Sequence, residues 1–160
     1  TMQHKLNAPA QTVLDLLTNA KWLEARCLAL GDISASVKTK KKAGQVIVTM
    51  HRRISRELPG MLAKVLPPES DMVLEETWTL GDKGEATGSM TVEMVGQPVR
   101  LGAEFSLSAS GKGCVYDISH SAKSSVPFLA GSIEKFAQKK SEEACADELE
   151  YLADALKKAK

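Results

Sequence analysis

An α+β fold, in which a curved seven-stranded antiparallel sheet wraps a long amphipathic C-terminal helix, is predicted by three observations. From Ile33 to Ala122 apolar residues alternate at period two, broken by turn signals every ten to fifteen residues, which is the pattern of an antiparallel meander. The last forty residues abandon that period for three- and four-residue steps. Ahead of the meander, helical spacing predicts two short helices after an opening strand. A one-sided sheet of this extent must cover its apolar face, and the C-terminal helix is the only element of matching size.

The first strand is read in the weak alternation from Met2 to Asn7. Pro9 is placed as the first residue of a helix, where its missing N–H would be unpaired anyway. Val13, Leu16, Leu17, Trp22, Leu23, Cys27 and Leu28 then recur at helical spacing, and interruptions at Asn19 and Gly31 divide them into two short helices ending at Gly31. Ile33, Ala35 and Val37 alternate up to a turn over residues 40–44, and Val46, Val48, Met50 and Ile54 mark the strand that pairs back. After a longer connection come Met72, Leu74, Trp78 and Leu80, a turn at 81–84, and then Met90, Val92 and Met94. Beyond the turn at 96–98, Val99, Leu101, Ala103, Phe105 and Leu107 alternate without a break. Cys114, Tyr116, Ile118 and His120 close the meander after a turn at 110–113. Leu129, Ile133, Phe136, Cys145, Leu149, Leu152 and Leu156 form one stripe on a helix of ~30 residues, ~45 Å long.

Composition narrows the function classes. The chain has 160 residues, 43% of them hydrophobic and 26% charged, an ordinary globular balance that predicts one domain over 2–160, with Met2 read as the native start and Thr1 set aside. A net charge of +1 provides no drive toward nucleic acid or anionic membranes. The three cysteines, Cys27, Cys114 and Cys145, are scattered and form no C-x-x-C pair, which argues against a disulfide framework or zinc knuckle and suits a reducing cytoplasm. No apolar stretch approaches the roughly 18 residues of a spanning helix, and no basic region precedes an apolar leader, so no stable membrane insertion is expected. Lys38, Lys40, Lys41 and Lys42, with Arg52, Arg53 and Arg56, are the one basic concentration. No aromatic residues are interleaved for stacking on bases, so the lysines are read as protection of an exposed strand edge.

The order strand, two helices, six-strand meander and long helix is the helix-grip arrangement, and this sequence resembles the START-like (SRPBCC) superfamily over nearly its whole length. Asn7-Ala8-Pro9-Ala10-Gln11-Thr12-Val13 is similar to that superfamily's strand-to-helix opening, and the helix beginning near Pro127-Phe128-Leu129 to its terminal helix. Leu58-Pro59-Gly60-Met61-Leu62 followed by Glu75-Glu76-Thr77-Trp78 resembles a bacterial branch with no established activity. The resemblance implies a cavity between sheet and helix for a lipid, isoprenoid, polyketide or similar apolar molecule. It carries over no catalytic residue and no cofactor.

The residues themselves suggest how such a cavity would be lined. Strict alternation puts Glu76 on the same face as Leu74 and Trp78, and Arg52 on the same face as Met50, which makes an Arg52–Glu76 contact across a diagonal of the hairpin. Tyr116 and His120 share an inward register. These four either orient the polar end of an apolar ligand, or form a structural pair (Arg52 and Glu76) beside a packed Tyr116 and a His120 at a wet strand end. Within residues 56–70, Met61, Leu62, Val65 and Leu66 fall at the spacing of one or two helical turns, read as a lid or a fixed plug. The expected cavity residues are Arg52, Met61, Leu62, Leu66, Leu74, Glu76, Trp78, Met90, Phe105, Tyr116, His120 and Phe136.

No H-E-x-x-H, G-x-S-x-G or phosphate-loop motif is present, and His4, His51 and His120 are too scattered for a metal site. The leading expectation is a non-enzymatic binding protein for an apolar small molecule, without metal or cofactor. A cyclase-like enzyme using Glu76, His120 and Tyr116 is the second reading. A module docking a protein through residues 56–70 is the third, and a homodimer stays open.

Overall fold

The computed structural model describes residues 2–158. Thr1 and the last two residues of the expected domain lie outside the described residues.

The elements follow the predicted order: β1 (Met2–Leu6), α1 (Ala10–Leu17), α2 (Ala20–Ala29), β2 (Ser34–Lys42), β3 (Gln45–Ser55), β4 (Glu69–Leu80), β5 (Ala86–Met94), β6 (Val99–Ser110), β7 (Gly113–Ser124) and α3 (Ala130–Lys158). The strands form one antiparallel sheet in the order β1-β7-β6-β5-β4-β3-β2. Pro9 stands just before α1 rather than inside it, its carbonyl accepting from Val13 N at 3.2 Å. Asn19 caps α2 by accepting from the Trp22 backbone N–H at 3.0 Å, which is why the apolar spacing breaks there.

The turn between β2 and β3 differs from expectation. Lys40, Lys41 and Lys42 belong to β2, and the turn is the pair Ala43-Gly44, both at positive φ (40° and 79°), the two-residue geometry that matches strand twist. β2 is a sheet edge, and its lysines lie along it. The outer ends of two expected apolar rows also miss the core: Ile33, before β2, is 49% exposed and Leu80, at the end of β4, 41%.

One half of the sheet's inner face is solidly packed. Trp78, Phe105 and Tyr116 form an aromatic cluster, with the Trp78 and Phe105 centroids 4.4 Å apart and the Trp78 and Tyr116 rings edge-on at 6.2 Å. Gly88, opposite both Trp78 and Phe105, makes this possible, because the Phe105 ring occupies the space where a Cβ would stand. Cys145, Leu149, Leu152 and Leu156 of α3 are buried among the core residues. Toward the N-terminal half of α3 the packing opens. There the inner-face residues Met72, Glu76, Met90, Leu101 and His120 are only half-buried.

Candidate functional site

The apolar stripe of α3 has a gap. Between Phe136 and Cys145 the cavity-facing positions hold Ala137, Lys140, Ser141 and Ala144, none of which fills space as the later leucines do. A cavity of about 300 Å³ lies beneath them, between α3, α2 and the inner faces of β3 to β7. Its lining includes Leu74, Met90, Val92, Leu101, Ile133 and Phe136, a mostly apolar surface with polar groups set into it.

Sheet register arranges those polar groups. Glu76 lies opposite Met90, Met90 opposite Ala103, and Ala103 opposite His120, so Glu76 and His120 stand on one cross-strand row, three strand intervals apart. The aromatic cluster lies against this row: Trp78 is two residues along β4 from Glu76, and Tyr116 four along β7 from His120.

The diagonal contact expected between Arg52 and Glu76 does not form. Arg52 pairs with Met72 and Glu76 with Val48, a separation of four residues rather than two. Arg52 instead donates to both carboxylate oxygens of Asp32, from Nε at 2.6 Å and from Nη2 at 3.0 Å. Burial pulls the guanidinium's pKa down, but the Asp32 hydrogen bond together with the nearby negative charges of Glu148 and Asp32 makes the net shift upward. A second ion pair, Arg26 Nη2 to Glu148 Oε2 at 3.5 Å, connects α2 to α3.

Glu76 has no ion-pair partner among the described residues, and burial pushes its carboxyl up to about 7. Arg26, the Trp78 indole N–H and Arg52 favour its ionised form, while Glu148 opposes it. His120 is held below its ordinary value by burial, against the pull of Glu142 and Glu148. Its Nδ1, the Trp78 Nε1, the Arg26 Nε and the Arg56 Nε are buried side-chain atoms without a hydrogen-bond partner among the described residues. His120 is not at a strand end, since β7 continues to Ser124.

Of the twelve expected lining residues, the structure brings together Arg52, Leu66, Leu74, Glu76, Met90, His120 and Phe136 around the cavity. The other five lie elsewhere. Trp78, Phe105 and Tyr116 are closed into the aromatic cluster, Leu62 is buried core, and Met61 is 65% exposed. Residues 56–68 contain a single 3-10 turn, Leu62–Lys64, that turns Leu62 and Leu66 inward and leaves Met61 and Val65 outside. Arg56 ties this segment down, donating from Nη2 to Gln97 Oε1 at 2.6 Å and to Ser70 Oγ at 3.2 Å, while Gln97 Nε2 donates to Ser70 Oγ at 2.6 Å.

Arg26, Asp32, Arg56 and Glu148 also line the cavity and were missed in the sequence. Arg26 was legible: it sits between Leu23 and Cys27 on the buried face of α2. The gap in the α3 stripe was the other available signal. No group of three or more His, Cys, Asp or Glu side chains suited to a metal occurs among the described residues. No helix among them is long and apolar enough to cross a membrane.

The architecture has solved counterparts. The crystal structure of TTHA0849 from Thermus thermophilus is similar with a TM-score of 0.63 at 14% identity, over 99% of this chain and 96% of that one. The crystal structure of Ara h 8.0201 is similar with a TM-score of 0.54 at 10% identity, over 96% of this chain and 95% of that one. At these identities the likeness establishes the START-like, helix-grip fold. No curated protein matches. Residues 1–156 match the family described as "Protein of unknown function (DUF2505)", and the chain belongs to that family.

Proposed function

We propose that this protein binds an apolar small molecule, of lipid, isoprenoid or polyketide-like character, in the cavity between the sheet and α3, and carries or sequesters it without transforming it. The observation that carries this reading is the gap in the α3 stripe lying over half-buried methionines and leucines. A helix whose other inward positions are large leaves about 300 Å³ unfilled at one end of the same core. Met72, Met90 and Met94 suit a tolerant wall because their unbranched side chains adapt to different shapes.

The experiment is native mass spectrometry after mild purification, together with a lipid and isoprenoid binding screen. A retained small molecule, or saturable binding of an added one, is the expected result. Protein that carries nothing and takes up nothing from the screen would sink the reading.

A second reading, catalysis of the cyclase kind, draws on one observation: Glu76 faces the cavity with a carboxyl near 7, where it can give or take a proton. Tyr116, its expected hydrogen-bonding helper, is closed into the aromatic cluster. Turnover of a polyketide-like substrate that is lost in Glu76→Gln would favour this reading over simple carriage.

A further inference from the structure

We propose that the cavity takes an elongated, mostly apolar molecule carrying an uncharged hydrogen-bonding group at each end, with the Glu76 carboxyl fixing one end and the His120 imidazole the other. This rests on the apolar-ligand reading above and names the class of ligand.

The register provides the spacing. Glu76 and His120 lie on one row with only Met90 and Ala103 between them, and three strand intervals span roughly 14 Å along the sheet, less across a curved one. A ligand joining them lies across β5 and β6, its body against Met90 from the sheet and under Phe136 and Ala137 from α3. Both ends have hydrogen-bonding capacity to spare: among the described residues the Glu76 carboxyl makes no ion pair and has the Trp78 indole N–H beside it, and His120 Nδ1 makes no hydrogen bond. Buried polar groups of this kind cost stability unless something completes them, and a ligand hydroxyl or carbonyl would.

Charge selects the uncharged class. The two buried guanidiniums flanking the row are already paired, Arg52 with Asp32 and Arg26 with Glu148, and Arg56, elsewhere on the cavity lining, is engaged by Gln97 and Ser70. Glu76 and Glu148 together oppose a second carboxylate there. At neutral pH the Glu76 carboxyl exists in both protonation states and burial favours the neutral imidazole of His120, so each can complete a hydroxyl's hydrogen bonding as donor or acceptor.

The test is displacement of the neutral dye Nile red from the wild-type protein by three probes of equal chain length: decanol, decanediol with a hydroxyl at each end, and decanoic acid. Extended decanediol spans roughly 14 Å, matching the row. Decanediol is expected to displace the dye at up to about tenfold lower concentration than decanol, the effect of one added hydrogen bond. Glu76→Leu and His120→Leu should each remove that preference, while Glu76→Gln and His120→Gln, which keep a hydrogen-bonding group, should retain it. Equal displacement by decanol and decanediol, or strongest displacement by decanoic acid, overturns the two-ended ligand. Because the probe series is read on the wild-type chain, the outcome does not depend on any variant folding. If Nile red itself fails to bind, the apolar-ligand reading falls as well; if it binds and the probes are equivalent, only the two-ended proposal falls.

Discussion

Arg52 grips Asp32 with two nitrogens, Nε at 2.6 Å and Nη2 at 3.0 Å, so its charge is paired just before β2 rather than with Glu76. Two consequences follow for the cavity. The Arg52 charge is neutralised locally, and Glu76 is left on the cavity wall without an ion-pair partner among the described residues.

The first consequence predicts an asymmetric mutational result. Both side chains are largely buried, at 15% and 7% exposed, so Asp32→Ala should leave an uncompensated guanidinium and destabilise the fold by about 3 kcal/mol. Arg52→Met combined with Asp32→Ala should recover most of that loss. Urea denaturation of the two variants checks it; equal stability of the single and double variants would refute it.

The second consequence is a pH signature. A carboxyl raised from 4.5 to about 7 by burial is more readily ionised in the unfolded chain than in the folded one. The folded state then binds more protons, and stability falls as pH rises from about 4.5 to 7. Arg26 from α2 and Arg52 from β3 temper the effect, and Glu148 from α3 adds to it. Glu76→Gln removes this slope and should be the more stable protein at alkaline pH, by at most about 3 kcal/mol. Thermal unfolding of both proteins across pH 4 to 9 measures it, and parallel curves would rule it out.

Filling the cavity should separate binding from folding. Ala137→Leu adds apolar volume on α3 directly over the void, and its expected effect is a gain of about 1 kcal/mol with weakened Nile red binding. Unchanged dye affinity would place the binding elsewhere.

The packed half of the sheet should be far less tolerant. Gly88→Ala forces a methyl group into the Phe105 ring and should cost about 2 to 3 kcal/mol by disturbing the aromatic cluster. Denaturation midpoints check this, and a change within a few tenths of a kcal/mol would contradict the packing described.

Much of this architecture was legible without coordinates because each element's cause is local. Period-two alternation placed β3 to β7, Asn19 and Gly31 divided the helical region, and the stripe ending in Leu149, Leu152 and Leu156 marked α3. Face assignment also followed from alternation, which is why Glu76, Met90 and His120 are found on the inner face.

Pairing and depth are not local. Glu76 lies opposite Val48 rather than beside Arg52 because the β3–β4 register pairs Arg52 with Met72, while the two-residue Ala43-Gly44 turn sets the separate β2–β3 pairing. Asp32, in the short link before β2, became the partner of Arg52 only through that pairing. Trp78, Phe105 and Tyr116 share the inner face with the cavity residues, yet they fill their end of it because Gly88 lets the rings stack closely. The sequence by itself determined which residues face inward, since alternation and helical spacing are properties of one strand or helix. Only the tertiary structure decided which of them meet each other and which meet empty space, because that depends on strand register and on where α3 crosses the sheet.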